Sequence, residues 1–125
     1  MDSLVTKPWG YEKIWARTDK YVGKILRIES GHRLSLQYHV KKDETIHVQS
    51  GTLLLEYGDH VDRLTKYSLN PGDSFHIKTG MIHRMSAVTD VDVYEVSTTE
   101  LDDVVRLEDD YGRGSPSSKQ LKLPL

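Results

Sequence analysis

The sequence contains no cysteine, which excludes disulfides, thiolate metal sites and cysteine nucleophiles. It has no apolar run near the roughly 18 residues that a membrane-spanning helix needs, and Met1–Lys7 lacks the apolar core of a secretion signal. It has no excess of positive charge: 17 Lys and Arg stand against 19 Asp and Glu, a net charge of −2. No overall basic field draws such a chain to nucleic acid or to an anionic membrane. Helical periodicity is missing from residues 20 to 98, and no longer internal repeat occurs. With 125 residues, these absences describe a single-domain, soluble, cytoplasmic protein with one core.

What is present is a series of short β-compatible runs. They cover Tyr11–Ala16, Tyr21–Glu29, Arg33–His39, Glu44–Gln49, Thr52–Tyr57, Val61–Leu69, Ser74–Ile77, His83–Val88 and Val91–Ser97. Turn residues such as Ser50-Gly51, Gly58-Asp59 and Asn70-Pro71-Gly72-Asp73 separate them. Short strands at such regular spacing predict an all-β sandwich or barrel. Trp9 and Trp15 predict that the N-terminal arm packs on this body. After Ser97 the chain turns acidic, and Thr98 or Thr99 is placed to cap a short helix running to Leu107. The domain is expected to span residues 1–113. Residues 114–125 are read as a flexible tail, or one extended along a neighbour through Leu121, Leu123 and Leu125.

The stretch from Gly31 to Gly51 is the most informative. Arg33, Ser35, Gln37 and His39 are polar, while Leu34, Leu36 and Tyr38 between them are apolar. A strand sends alternate residues to opposite faces, so the four polar side chains are expected together, facing either solvent or a polar barrel interior. Gln37, His39 and Glu44 offer the nitrogen and oxygen donors that suit a divalent metal. A second segment, Pro71 to His83, brings another imidazole after the Thr79-Gly80 turn. His47 falls on the opposite strand face to Glu44 and is read as non-ligating.

Gly31, Gln37-x-His39, Glu44, Gly51, Pro71-Gly72 and Gly80-x-x-His83, in that order, resemble the two motifs of the cupins. The likeness extends further. Lys7-Pro-Trp-Gly-Tyr-Glu12, Arg33-Leu-Ser-Leu-Gln-Tyr-His39, Gly80-Met-Ile-His-Arg84, Tyr94-Glu-Val96 and Val105-Arg-Leu-Glu-Asp-Asp-Tyr-Gly-Arg113 look like the type II mannose-6-phosphate isomerase cupin domain. The resemblance covers about residues 7 to 113. It implies a cupin jelly-roll barrel (a double-stranded β-helix) and a divalent metal held by Gln37, His39, Glu44 and His83. Zinc is the first expectation, with manganese, cobalt, nickel and iron behind it. It also implies interconversion of mannose 6-phosphate and fructose 6-phosphate, with a small-molecule sugar phosphate as partner. In many bacteria this domain follows a guanylyltransferase domain. The sequence shows no such domain, and guanylyl transfer is not expected.

Isomerisation between C1 and C2 needs a base beside the carbonyl and an electrophile for the developing enediolate. Arg33 is the first choice for binding phosphate or stabilising that charge, because a guanidinium makes paired bonds to oxyanions. Lys24, Ser35 and Arg113 are further substrate contacts. Lys24 reads equally as a surface lysine, and Arg113 equally as half of a structural salt bridge. Glu95 is the candidate base if it points inward, or else a solvated glutamate.

Three other readings compete: a cupin isomerase or epimerase acting on another sugar or sugar nucleotide, an iron-dependent dioxygenase, and a cupin that binds sugar without turnover. Gln37 argues against the dioxygenase. The segment Val40-Lys41-Lys42-Asp43-Glu44-Thr45, where the family often carries three further histidines and an arginine around the glutamate, favours the non-catalytic reading. Open sheet edges predict a homodimer.

Overall fold

In a computed structural model, residues 3–114 are described, and they fold entirely into strands and turns. Eleven strands follow one another: β1 (Ser3–Lys7), β2 (Gly10–Arg17), β3 (Val22–Ile28), β4 (Leu36–Tyr38), β5 (Glu44–Ser50), β6 (Leu53–Gly58), β7 (Thr65–Leu69), β8 (Ser74–Ile77), β9 (Ile82–Ala87), β10 (Val91–Ser97) and β11 (Val105–Glu108). They form two antiparallel sheets, one in the order β1-β2-β3-β10-β5-β8 and the other β11-β4-β9-β6-β7. From β4 to β6 and from β7 to β11 the chain alternates between the sheets. This two-sheet jelly roll is the cupin fold.

Alternation within each strand aims one set of side chains between the sheets. Leu26 and Ile28 on β3, Ile46 and Val48 on β5, Leu53 and Leu55 on β6, and Val91 and Val93 on β10 make the core, with Trp9 and Met85. Further along the same inward faces the chemistry changes. Lys24 precedes Leu26 on β3, Glu95 follows Val93 on β10, Glu44 precedes Ile46 on β5, and His83 precedes Met85 on β9. All four are buried. One end of the sandwich is therefore an apolar plug, and the other is a polar cavity of about 250 Å³.

The expected strands Arg33–His39 and Val61–Leu69 are shorter, at Leu36–Tyr38 and Thr65–Leu69, and two regions depart further from the sequence expectations. The predicted helix after Thr98 is absent. Residues 99–104 form turns, and Val105–Glu108 is β11, paired with β4 through Val105 opposite Tyr38 and Arg106 opposite Gln37. The cause is tertiary. Asp103 takes three backbone amides from another part of the chain, those of Val40 (3.0 Å), Lys41 (2.6 Å) and Lys42 (2.8 Å). A helix would point that carboxylate elsewhere. The second departure is the N-terminal arm, which is an edge strand, β1, paired with β2 from Ser3 opposite Ile14 to Lys7 opposite Gly10. Trp9 is buried in the core as expected, whereas Trp15 is 52% exposed and lies over Gly23, where a Cβ would approach its ring to 2.7 Å. The expected tail, 114–125, lies beyond the described residues from 115 onward.

Gly51 turns the chain between β5 and β6 with φ of 80°, and a Cβ there would sit 2.0 Å from the carbonyl oxygen of Asp90. Both the left-handed backbone and the close approach demand glycine. Gly51→Ala is expected to destabilise the domain by more than about 1 kcal/mol. An unchanged melting temperature in calorimetry would show that the turn relaxes freely.

Candidate metal centre and cavity

His39, Glu44 and His83 come together although they sit on the loop after β4, on β5 and on β9. One ligating atom from each lies within 4.8 Å of the others, and all three residues are buried. Each imidazole is oriented by a backbone carbonyl: His39 Nδ1–H donates to Asp103 O at 2.6 Å, and His83 Nδ1–H to Met81 O at 2.9 Å. That fixes the tautomer and leaves both Nε2 atoms as lone pairs in the neutral rings. Both point to Glu44 Oε1, at 3.3 Å and 3.5 Å. His83 Nε2 is buried and has no hydrogen-bond partner among the described residues.

Three electron-pair donors converging in a buried space, one of them otherwise unsatisfied, are suited to a cation between them. The donor set fits a divalent metal. The carbonyl bonds to the outer ring nitrogens are the support that ligating histidines characteristically have. Gln37 lines the same cavity and is the register partner of His83 across β4 and β9, so its amide belongs to this face.

Glu44 does not stand alone. Lys42 is buried, with Nζ 3.1 Å from Glu44 Oε2 and 3.2 Å from Glu95 Oε2. Burial by itself would push the Glu44 carboxyl up, but positive charge beside it, a second proton on the facing imidazoles or a cation in that proton's place, together with the Lys42 ammonium, holds it well below the usual carboxylate range. Glu95 shifts the other way: burial, and then the Glu44 charge, raise it against the opposing lysines. The Lys42 ammonium is held above its usual range, because the two carboxylates overcome the cost of burial. Behind this group Lys24 pairs with Glu12, which Lys7 also approaches at 3.4 Å. Lys24 and Glu95 face each other across β3 and β10. Charges therefore alternate along the wall from Glu12 through Lys24, Glu95 and Lys42 to Glu44, as buried charges require if they are to stay ionised.

The other sequence candidates divide by position. Ser35, Lys24, Glu95 and Arg113 line the cavity. Lys24 is buried rather than on the surface, and Glu95 points inward. Arg113 bonds Asp109 twice, at 3.0 Å and 2.8 Å, so its salt bridge is local to its own turn. Arg33 is not among the cavity residues. It makes only an isolated bridge with Ser86, its side chain is 43% exposed, and its guanidinium holds Asp110 at 2.7 Å and 3.0 Å. Regular pairing on this stretch begins only at Leu36, so the alternation that would align Arg33 with Gln37 is broken at Leu34 and Ser35, both of which line the cavity. His47 bonds Ser74 Oγ at 2.8 Å, away from the ligands.

Lys42, Glu12 and Asp103 were not singled out by sequence reasoning. Lys42 stands where the resemblance expects an arginine, and that was the available signal.

The profile of a family described as mannose-6-phosphate isomerase C-terminal matches residues 1–109. The chain belongs to that family. Curated relatives agree: it is 34% identical over 119 residues to the mannose-1-phosphate guanylyltransferase ManC of Salmonella typhimurium, matching 90% of this chain and 24% of that protein. It is 32% identical over 114 residues to the xanthan biosynthesis protein XanB of Xanthomonas campestris, matching 87% of this chain and 23% of that protein. This family member thus spans about a quarter of the length of those relatives. Among solved structures, KdgF from Halomonas superposes with a TM-score of 0.68 at 21% identity, over 77% of this chain and 84% of that one. Oxalate decarboxylase from Bacillus subtilis superposes with 0.73 at 15% identity, over 85% and 30%. These two likenesses establish the cupin fold alone. No helix among the described residues is long and apolar enough to cross a membrane.

Asp103 supports His39 through its carbonyl and the 40–42 turn through its carboxylate. Asp103→Ala is expected to weaken divalent metal binding by about 10- to 100-fold. Competition with a chromogenic chelator measures this, and an affinity equal to that of the unaltered protein would remove Asp103 from the support of the site.

Proposed function

We propose that this domain is a metal-dependent aldose–ketose isomerase that interconverts mannose 6-phosphate and fructose 6-phosphate, with zinc as its metal. The observation that carries the reading is the buried His39–Glu44–His83 group, with the orphaned His83 Nε2, opening into a cavity that also holds Glu95. Membership of a family described by that isomerase supplies the substrate class.

His39, Glu44, His83 and Gln37 would hold the metal, which when bound supplies a Lewis acid to polarise the substrate's oxygens. The remaining work falls to the chain's own groups. Glu95, raised in pKa by burial and by Glu44, takes the C2 proton of the open-chain aldose and returns it to C1, while the hydroxyl proton passes from O2 to O1. Lys42 holds Glu95 Oε2 at 3.2 Å, which fixes the carboxylate's direction and limits its rise in pKa. The apolar plug formed by Leu26, Ile46, Val93 and their neighbours closes the far end of the cavity against water.

The test uses protein stripped of metal and reloaded separately with zinc, cobalt, manganese and iron, with fructose 6-phosphate formation followed from mannose 6-phosphate. Turnover is expected with at least one metal. It should be abolished in His39→Ala and lowered about 100-fold or more in kcat in Glu95→Gln. Full metal loading without turnover by any reload would overturn the reading, and a panel of other aldoses would then identify what the cavity takes.

A further inference from the structure

We infer that two copies of this chain join edge to edge through β1, antiparallel and centred on Val5, so that their cavities open toward one another. Such a pairing is independent of which ligand the cavity takes.

The turn between β7 and β8 joins the two sheets along one side of the molecule. Counted from that side, the first sheet has six strands and the second has five, so on the opposite side β1 overhangs β11 by one strand. Among the described residues, β1 is paired on its β2 side alone. Val5 and Lys7 on β1 nevertheless line the cavity, and so does Arg106 on β11. The gap between these two edges is thus a side of the cavity that no strand among the described residues covers.

Edge strands invite strand addition unless something blocks it, and the four edges differ in that respect. β8 has only four residues. β11 has four as well, and its register shifts between Arg106 and Glu108. β7 carries the exposed Lys66 inside the strand. β1 pairs in unbroken register over Ser3–Lys7, with no proline, no bulge and no charge before Lys7. Its Leu4 is 59% exposed and its Val5 43%. This edge is long, flat and aliphatic, with backbone groups that need partners.

Two features commit the edge to a second copy. The first is self-complementarity. About a two-fold axis through Val5, antiparallel pairing sets Val5 against the partner's Val5, Leu4 against the partner's Thr6, and Ser3 against the partner's Lys7. No like charges are opposed, and each Lys7 is already paired with Glu12 of its own chain at 3.4 Å. The two Lys7 side chains fall four ladder positions apart, about 14 Å, which exceeds the Debye length of about 8 Å at physiological ionic strength.

The second feature is what the pairing does to the cavity. A two-fold axis perpendicular to the sheet keeps both inner faces on the same side, so the two six-stranded sheets become one. The uncovered sides of the two cavities then face each other across the β1 pair. By the strand count each β11 stands over its own β2, three strand spacings from its counterpart, or about 14 Å. That width leaves a shared vestibule between the two barrels, and each cavity gains the partner's Val5 at its rim.

Sedimentation velocity over a range of concentrations tests this on the 125-residue chain, unaltered and as Val5→Lys and Val5→Glu, with circular dichroism to check the fold. The unaltered protein is expected to be a dimer. Either charge placed at the axis meets its own copy, and should raise the dimer dissociation constant by on the order of 100-fold. An equimolar mixture of the two variants opposes unlike charges and should restore dimers that hold one chain of each. A monomer at every concentration overturns the proposal and leaves the edge to a different protein. Variants as dimeric as the unaltered protein overturn it by placing the interface elsewhere. A mixture that stays monomeric overturns the register centred on Val5.

Discussion

Glu44 is a carboxylate placed where water does not reach, and much of the site follows from keeping it charged. Removing such a group from water costs several kcal/mol unless partners replace the lost hydration. Here the Lys42 ammonium stands against one oxygen, and the other faces two imidazole Nε2 lone pairs, an arrangement that a cation among the three would satisfy. Because Lys42 is itself buried, it needs a second carboxylate, and Glu95 provides it. The requirement passes along the wall to Lys24 and then to Glu12. Five strands or their connecting turns thus contribute to one alternating row of charge, and that row is also the wall of the cavity.

Geometry at the metal centre depends in turn on a contact distant in sequence. Asp103 lies nearly half the chain after Glu44, yet its carboxylate ties down the turn that joins His39 to Glu44 and its carbonyl accepts the hydrogen bond of His39 Nδ1–H. The segment after β10 is therefore part of the site's architecture. Arg84 on β9 bonds Leu34 O and Glu108, and Arg33 bonds Asp110, so that β11 and the turn after it are tied to β9 and to the segment before β4.

Much of this was legible in the sequence, and the pattern of success is physical. Strands with clean alternation and punctuated ends, such as Ser74–Ile77 and Val91–Ser97, were read to the residue, because local chemistry alone determines them. The all-β class and the cupin fold followed from strand spacing and motif order. Arg33 was misplaced because alternation was extended through Leu34 and Ser35, where the backbone leaves the ladder. The segment after Thr98 looked helical because its acidic residues suit a first turn, while the force that shapes it, Asp103 capping three remote amides, has no local signature. Lys42 drew no reading of its own, lying between two strand runs in a charged stretch. Nothing in Lys41-Lys42-Asp43 tells which lysine is inside until Glu44 and Glu95 are known to face it.

The division of labour along the chain has an evolutionary consequence. The residues suited to hold metal fall between Gln37 and His83, on β5, β9 and the β4 segment, which the core packs from both sides. Much of the rim comes instead from the two ends of the described chain: Val5 and Lys7 on β1, and Leu101, Asp102, Val104, Arg106 and Arg113 after β10. A lineage of such domains can therefore vary the entrance by substituting edge-strand and terminal residues, which have fewer neighbours to disturb, while the interior chemistry stays intact. Diversification toward new ligands would be read first in the terminal segments of this barrel, and last in its centre.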